Sequence, residues 1–299
     1  MARGRPRRRH APSKDVTLSP VGAQGKIKRV IFNADDFGIS AEVNDAVEKA
    51  HRNGVLRSAS LMVGAPAFDD AVERARRLPS LAIGLHVVLV HGRPVLPPEN
   101  VPAVVGSDGL FFTDLVGAGV KFFFRPRAAA QLRAEIRAQF ERFAGTGLPL
   151  DHVDAQSHMH VHPTVFRAIL EVGREFGMRA IRIPREPYGG TRTIRPWVAL
   201  MRARAGRQGV ASNDYAYGVN DVGAMTEARV LQMLENLPDG VTELFFHPAT
   251  GPFAGADAGA ERFQWTEELR ALTSPAVRES LARHRIESTT YGALTAPSS

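Results

Sequence analysis

Short apolar segments with strand character alternate with amphipathic segments of helical period along most of this chain. Strand character is strongest at 29–33, 58–63, 81–89, 150–154, 179–183, 241–246 and 286–290. Helical period is strongest at 41–53, 68–77, 128–143, 163–176, 226–237 and 275–284. Such alternation is typical of a parallel sheet covered by helices, and about seven units favour closure of the sheet. We therefore predict an α/β fold, a distorted (β/α) TIM-like barrel in a single domain.

Two long segments interrupt this alternation. Residues 90–127 contain phenylalanine-rich runs followed by Arg125 and Arg127, and residues 184–223 contain Trp197 among several arginines. Both segments are too long for simple connectors, so we expect insertions or lid segments. Aromatic rings flanked by cations are typical of a membrane interface, and they are equally typical of a lid that packs over a barrel.

The net charge of +7 belongs to the start of the chain. Residues 1–28 hold eight of the 38 lysines and arginines but one of the 31 acidic residues, so the remainder is balanced. A basic segment with few apolar residues cannot form a core. We expect a disordered tail over 1–28 and a folded barrel over 29–295. A balanced barrel does not favour nucleic acid as a partner.

Neither export nor a membrane span is expected. The arginine-rich start is not followed by an apolar signal region, and no segment reaches the roughly 18 apolar residues of a span. We expect a cytoplasmic protein whose membrane association is limited to surface contact. The chain has no cysteine, so a metal ion would have to be held by histidine, carboxylate or solvent.

Acidic and imidazole side chains recur where the predicted strands end. Asp35 and Asp36 follow the first strand, His86 lies late in the third, and His247 ends the apolar strand 241–246. The carboxyl ends of parallel strands form the active-site face of such barrels, so these side chains should share one rim. Each also has a structural explanation, because aspartates cap helices and a buried histidine can be satisfied by a hydrogen bond.

The densest signal is the segment 152–163, which holds four of the ten histidines. In an extended chain His158, His160 and His162 would share one face, so two or more of them could converge on one ion. The alternative is a surface histidine tract without catalytic meaning.

Together these side chains indicate metal-assisted hydrolysis. A divalent metal would activate water and polarise a carbonyl oxygen, a carboxylate would accept the proton of the water, and a histidine would protonate the departing amine. The residue types at this rim do not by themselves determine which bond of a substrate is hydrolysed. A hydrolase of another bond, such as a phosphoester, therefore stays open, as does a catalytically silent protein that binds a sugar or a lipid.

The motifs of the chain resemble those of the YdjC-like carbohydrate deacetylases and, among them, the branch associated with hopanoid biosynthesis. They are FNADDFG at 32–38, NGVLRSAS at 53–60, IGLH at 83–86, the histidine-rich segment 152–163, RIPRE at 182–186 and FHP at 246–248. The resemblance runs from Arg29 to Leu294, and the branch rests on Trp197 and residues 213–223. It implies a distorted barrel with a divalent metal and N-deacetylation of acetylated amino sugars. For this branch it implies a glucosamine-bearing hopanoid lipid as the substrate.

By position, the resemblance also implies roles for single residues. Asp36 and His86 match metal or catalytic positions, Asp35 matches the partner acid, and His247 matches a late catalytic histidine. Arg182 and Arg185 are the predicted substrate-binding residues, because guanidinium groups can orient sugar or phosphate oxygens. The alternative to substrate binding is that these two arginines are solvated or form ion pairs.

One position departs from the family pattern. Relatives usually place a metal-binding histidine two residues after the aspartate that corresponds to Asp154, and this chain has Gln156 there. An amide oxygen is a weaker ligand than imidazole for zinc but is acceptable to magnesium, so the expected cofactor is Mg or Zn. We hypothesise that His158 or His160 supplies the missing ligand.

The expected partners follow from these interpretations. The substrate is an acetylated amino sugar, either free or lipid-linked, and peripheral membrane contact is expected with a lipid-linked substrate. If the chain associates with itself, we expect a homodimer.

Overall fold

A curled parallel sheet forms the centre of the molecule, whose computed structural model describes residues 27–187, 194–254 and 262–295. Its strands are β1 (Lys28–Phe37), β2 (Ser58–Leu61), β3 (Ala82–Val87), β4 (Leu150–Ala155), β5 (Tyr215–Tyr217), β6 (Gly240–Phe246) and β7 (Glu287–Ser288). Most residues of β1 to β6 are buried, as expected for parallel strands covered on both sides, whereas both residues of β7 are exposed.

The strand order explains how the sheet curls. Hydrogen-bonded neighbours follow the order β4-β3-β2-β1-β6-β5, and β7 pairs with β1 outside this path. Beyond β4 the sheet continues through single parallel bridges, from Val153 to Ile181 and from Ala180 to Ala211. The predicted strand at 179–183 thus contributes bridges only. The predicted α/β fold is confirmed as a single-domain half-barrel, consistent with a distorted TIM-like barrel.

Helices surround this sheet. They are α1 (Ala41–Asn53), α2 (Phe68–Arg77), α3 (Leu115–Phe124), α4 (Pro126–Ala144), α5 (Pro163–Glu175), α6 (Arg195–Arg207), α7 (Glu227–Glu235), α8 (Trp265–Thr273), α9 (Pro275–Arg283) and α10 (Tyr291–Leu294). The six helices predicted from period are present within a few residues. The period did not predict α3, α6, α8 or α10. Helix α3 is apolar on two sides, and α10 is a single turn.

The first helix shows how local sequence sets the chain direction after β1. The Ser40 hydroxyl accepts a hydrogen bond from the backbone N–H of Val43 (3.2 Å) and caps the start of α1. At the other end, a Cβ added to Gly54 would lie 2.1 Å from the carbonyl oxygen of Leu272. Only glycine therefore allows the chain to pass so close to α8 before it enters β2.

Both long segments belong to the folded domain. In the first, the Glu135 carboxylate on α4 accepts hydrogen bonds from the backbone N–H groups of Val95 (2.8 Å) and Leu96 (3.0 Å). This contact ties the loop before α3 to the barrel. The second segment contains α6 and also β5, a three-residue strand of the sheet that the sequence did not predict. Residues 188–193 of this segment lie outside the described residues.

The start of the chain lies almost entirely outside the described residues. The predicted tail covers 1–28, of which 1–26 are not described, while Lys28 already begins β1. None of the described helices combines the length and the apolar character that crossing a bilayer requires.

Candidate active site

Two consecutive aspartates lie at the carboxyl end of β1. The register of β1 against β2 shifts between Ala34 and Phe37, so the strand is irregular at this point. Asp36 has a φ of 63°, a left-handed conformation that is strained for a residue with a side chain. The two carboxylates consequently differ in exposure, since the side chain of Asp35 is 4% exposed and that of Asp36 is 17% exposed.

Arg182 fills the centre of the barrel and has no exposed surface. Its guanidinium donates to both carboxylate oxygens of Asp35 (2.7 Å each) and to both of Glu243 (2.8 and 2.7 Å). Its Nη1 also lies 2.9 Å from Oδ2 of Asp154. Four hydrogen bonds and this ion pair thus hold the guanidinium inside the barrel. The structure leaves Arg182 no donor with which to contact a substrate directly.

These ion pairs control the charges at the centre of the barrel. Burial alone would raise the pKa of both aspartates, but Arg182 and His86, together with His152 beside Asp154, outweigh burial. The pKa of Asp35 is lowered, and that of Asp154 is held well below its usual range. Burial alone would lower the pKa of Arg182, but the carboxylates around it raise that pKa well above its usual value. Both aspartates are therefore ionised at neutral pH.

His86 lies directly beside this cluster. It is the register partner of Asp154 across β3 and β4, and its Nδ1 is 2.8 Å from Oδ1 of Asp154. Its Nε2 lies 3.0 Å from Oε1 of Gln156 and 3.5 Å from Oδ1 of Asp36. Burial alone would lower the pKa of His86, but Asp154, Asp35 and Asp36 raise it to about 9. The site thus favours positive charge at this position.

A buried network supports Asp154 from the side opposite the pocket. Ser60 Oγ donates to Asp154 Oδ2 (2.8 Å) and lies 3.1 Å from Nε2 of His152. The His152 ring stacks on Tyr291 with 4.7 Å between ring centroids. A Cβ on Gly84 would lie 2.3 Å from Cε1 of His152, so the imidazole occupies the space that a side chain would need. These contacts fix the position of Asp154 and hence of His86.

One group of side chains has the spacing of a metal site. Asp35, His86 and Asp154 each offer a ligand atom, and these atoms lie within 4.8 Å of one another. The Arg182 guanidinium already contacts both carboxylates, so a cation would have to approach His86 from the pocket side, where Asp36 lies.

The histidine-rich segment is not extended, because Gln156–Val161 forms a 3-10 helix in which His158 has a left-handed φ of 52°. His158 lines the pocket, whereas His160 is fully buried behind it. His162 packs against the ring of Phe122, with 6.2 Å between centroids. The prediction that these histidines share one face was therefore wrong. Among the described residues, no group of three possible ligands that includes His158 or His160 has metal-site spacing.

All three of these imidazoles have unsatisfied ring nitrogens. Within the described part of the chain, Nδ1 of His158, both ring nitrogens of His160 and Nδ1 of His162 lack a hydrogen-bond partner. Burial and the charge of Arg182 lower the pKa of His158 to about 4. Burial and His158 hold the pKa of His160 well below its usual value. Neutral, buried and unsatisfied imidazoles are unusual in a finished core and are typical of ligand sites.

His247 follows β6 and lines the same pocket. Its backbone N–H donates to the buried carboxylate of Glu268 on α8, which fixes the start of this loop. Its ring lies 5.2 Å from that of Phe263 and 6.1 Å from that of Phe245, measured between centroids. The imidazole is thus presented to the pocket between aromatic rings.

The pocket joining these residues has a volume of about 400 Å³, a size suited to a small ligand. Its polar side chains include six predicted site residues: Asp35, Asp36, His86, Gln156, His158 and His247. Its wall is aromatic and is formed by Phe245, Phe253, Phe263 and Trp265. Polar groups able to activate water thus face an apolar wall able to cover a sugar ring.

The structure places both predicted substrate-binding arginines away from this pocket. Arg182 is buried beneath it, and the Arg185 guanidinium lies over the Tyr215 ring (4.8 Å to the centroid) beside a separate cavity. The arginine that lines the main pocket is Arg262. No sequence pattern selects Arg262, since it follows no predicted strand.

Other site residues were missed although signals existed. His91 lines the pocket with a left-handed φ of 50°, and the sequence placed it only in a loop. Backbone strain marks this region generally, because four of the five described non-glycine residues with positive φ line the pocket: Asp36, His91, Ser157 and His158. Glu243 could have been recognised from the sequence, because a carboxylate within a buried apolar strand must be paired.

Comparison with known proteins places this geometry in a family. Residues 29–283 match the family described as YdjC-like protein. A carbohydrate deacetylase of Brevibacillus brevis is 31% identical over 89% of this chain and 99% of its own length. One of Vibrio vulnificus is 34% identical over 89% of this chain and 96% of its own length. A solved structure from Enterococcus faecalis V583, provisionally described as a cellobiose-phosphate cleavage protein, has a TM-score of 0.72, 26% identity and coverage of 90% and 99%. With a family match that spans most of its length, this chain belongs to the YdjC-like family.

Proposed function

We propose that this protein is a carbohydrate deacetylase that removes the acetyl group from an N-acetylated amino sugar. The observation that carries the proposal is the gathering of Asp35, Asp36 and His86 around one pocket. The relatives at 31% and 34% identity are described as carbohydrate deacetylases, which supports hydrolysis of an acetylated sugar.

A divalent metal ion, Mg or Zn, is proposed to bind on the pocket side of His86. Asp36 and Nε2 of His86 would hold it, with Oε1 of Gln156 as a further ligand. The donors fit such an ion, because carboxylate and amide oxygens suit magnesium and imidazole suits zinc. The charges that raise the pKa of His86 also favour a cation there. When bound, the ion supplies positive charge that polarises the acetyl carbonyl.

Each remaining side chain has a separate task in this proposal. Asp35 is ionised, and it accepts a proton from the attacking water. As the water oxygen bonds to the acetyl carbon, the carbon–nitrogen bond breaks and His247 donates a proton to the departing amine. Arg182 is a positioning residue, because its two bonds to Asp35 fix the direction of that carboxylate.

The proposed substrate is an N-acetylglucosaminyl lipid of the hopanoid type. This finer identification rests on the sequence resemblance to the hopanoid-associated branch. The aromatic wall of the pocket is compatible with it, because rings can cover the apolar face of a sugar. Leu115 and Val222 at the same pocket provide apolar surface for the start of a lipid.

Acetate release tests the proposal directly. The protein is loaded with Mg or Zn and incubated with short acetylated sugars and with an acetylglucosaminyl lipid, and acetate is measured. We expect release that is abolished by a chelator. Release of phosphate from phosphoesters without acetate would instead support the alternative hydrolase.

One observation favours a second candidate, a catalytically silent sugar- or lipid-binding protein. By the sequence resemblance, Gln156 stands where a metal-binding histidine is expected, and its Oε1 lies 3.0 Å from Nε2 of His86. A hydrogen bond there holds the nitrogen that a metal would need. The silent protein would bind acetylated sugar without releasing acetate at any added metal.

Gln156→His is expected to strengthen zinc binding by about tenfold or more, because imidazole is the better ligand for zinc. Zinc affinity is measured by calorimetry and metal content by elemental analysis. Gln156→Asn, which keeps the amide but shortens it, is the matched control and should not gain zinc. Equal zinc affinity in wild type and Gln156→His would contradict this position as a ligand.

The hypothesis that His158 or His160 supplies the missing ligand has its own test. Single His158→Ala and His160→Ala variants are loaded with metal and their metal content is compared with that of wild type. The unsatisfied nitrogens of both rings support the hypothesis. Unchanged metal binding in both variants would refute it.

A further inference from the structure

Helix α3 is apolar on its outer side as well as its inner side. The inner side packs into the core through the fully buried Phe122. The outer side exposes Val116 (77%), Val120 (53%), Phe123 (57%) and Phe124 (72%). Their spacing along the helix produces one continuous stripe. A surface helix normally carries polar residues there, so the stripe indicates a partner.

The fold holds this stripe in place. The Asp114 side chain accepts a hydrogen bond from the backbone N–H of Val116 (3.1 Å) and caps the helix. The ring of Phe122 packs edge-on against His162, and Phe123 packs edge-on against Phe124 with 4.9 Å between centroids. The apolar residues are therefore presented on a formed helix and need no folding step before they meet a partner.

The stripe is continuous with the candidate active site. Leu115, the first residue of α3, is 39% exposed and lines the pocket. Val222 also lines the pocket and is 46% exposed. An apolar surface thus extends from the outer side of α3 to the opening that leads to Asp36 and His86.

The charges beside the stripe distinguish between possible partners. Lys121, Arg125 and Arg127 lie at its carboxyl end. Lys121 Nζ lies over the Phe112 ring (3.5 Å to the centroid), whereas both arginines are exposed and neither has an ion pair within the described residues. Asp114 is the only acidic residue between positions 109 and 134. A second copy of the chain related by a twofold axis would offer these cations one carboxylate, Asp114, which already caps α3. An anionic lipid surface would satisfy both the rings and the cations.

We propose that the outer side of α3 inserts into an anionic lipid bilayer and thereby holds the pocket opening at the membrane surface. This membrane insertion rests on the proposed function, because a lipid-linked amino sugar would be presented at such a surface.

A probe on the stripe tests insertion. The chain has no cysteine, so Val120→Cys provides a single site for an environment-sensitive fluorophore. The labelled full chain is mixed with phosphatidylcholine vesicles with and without phosphatidylglycerol. We expect a blue shift and quenching by lipid-borne quenchers with the anionic vesicles. Glu279→Cys, on the exposed side of α9, is the matched control and should keep aqueous emission.

The basic start of the chain could bring the protein to anionic vesicles by itself. In that case the fluorophore at position 120 would stay in water, and the proposal would be overturned. A blue shift that grows with protein concentration in the absence of vesicles would indicate a second copy of the chain and would also overturn it.

A second variant links insertion to turnover. The F123S/F124S variant should bind anionic vesicles about tenfold or more weakly, because two large apolar side chains are no longer transferred from water into the bilayer. Acetate release from a short soluble sugar should stay at the wild-type level, and release from a vesicle-borne substrate should fall. Equal activity of wild type and variant on both substrates would overturn the proposal. Insertion without acetate release from any substrate would refute the proposed function but not the membrane surface.

Discussion

Replacing Arg182 by methionine is expected to lower the free energy of unfolding by at least about 3 to 5 kcal/mol, the usual cost of leaving buried charges unpaired. Methionine fills a similar volume but leaves Asp35, Asp154 and Glu243 without their cation. In the wild-type protein that guanidinium is completely buried and contacts all three carboxylates. Urea denaturation of wild type and variant at about pH 7 measures the difference.

The pH dependence of this difference has a defined sign. In the wild type the pKa of Asp35 and Asp154 is lowered, so their contribution is present above the unfolded pKa of about 4 and is lost as the pH falls further. In the variant the carboxylates lose their partner and protonate more readily. The stability gap between the two proteins should therefore narrow as the pH falls from about 7 towards 4.

Arg185→Met is the matched control for this experiment. Arg185 is partly exposed and stacks on Tyr215, so its replacement should cost far less. An Arg182→Met protein as stable as Arg185→Met would contradict the ion-pair cluster.

Asp35→Asn is expected to reduce kcat/KM for acetate release by about 10²- to 10⁴-fold, because an amide cannot accept the proton of the attacking water. The rate is measured on a short soluble acetylated sugar with metal present. The substitution also removes one charge from the pair with Arg182, so the fraction of folded protein is measured for every sample.

Glu243→Gln separates the two effects. Glu243 binds the same guanidinium as Asp35 but does not line the pocket. It should therefore destabilise the protein while retaining much more turnover than Asp35→Asn. Equal loss of turnover in the two variants would identify the arginine geometry, and not proton transfer at Asp35, as the cause. Asp36→Asn completes the series, because it should lose bound metal as well as turnover.

Much of the fold was predictable because it depends on local pattern. The strand at 150–154 and the helix at 68–77 have clear period and clear boundaries, and the structure has both. The three-residue β5 has too few residues for a period to be recognised. Helix α3 was missed because its two apolar sides remove the contrast on which recognition of an amphipathic helix depends.

The candidate site was predictable as a set of side chains but not as a geometry. The rule that strand ends converge brought Asp35, Asp36, His86 and His247 together. It could not predict that Arg182 points inward, because the charge of one residue does not reveal which distant carboxylates surround it. It also could not predict the left-handed turn at His158, which changes the direction of every histidine after it.

The hydroxyl of Tyr291 donates to Glu243 (2.7 Å), the same carboxylate that binds Arg182. The barrel centre therefore joins residues from Asp35 to the last helix of the described chain. During synthesis on the ribosome, an early β1 would wait with an uncompensated aspartate until Arg182, 147 positions later, has emerged, and Glu243 would then wait for Tyr291. Nascent chains of this protein should consequently depend on chaperones until Tyr291 has emerged, and products truncated before α10 should be preferred targets for proteolysis.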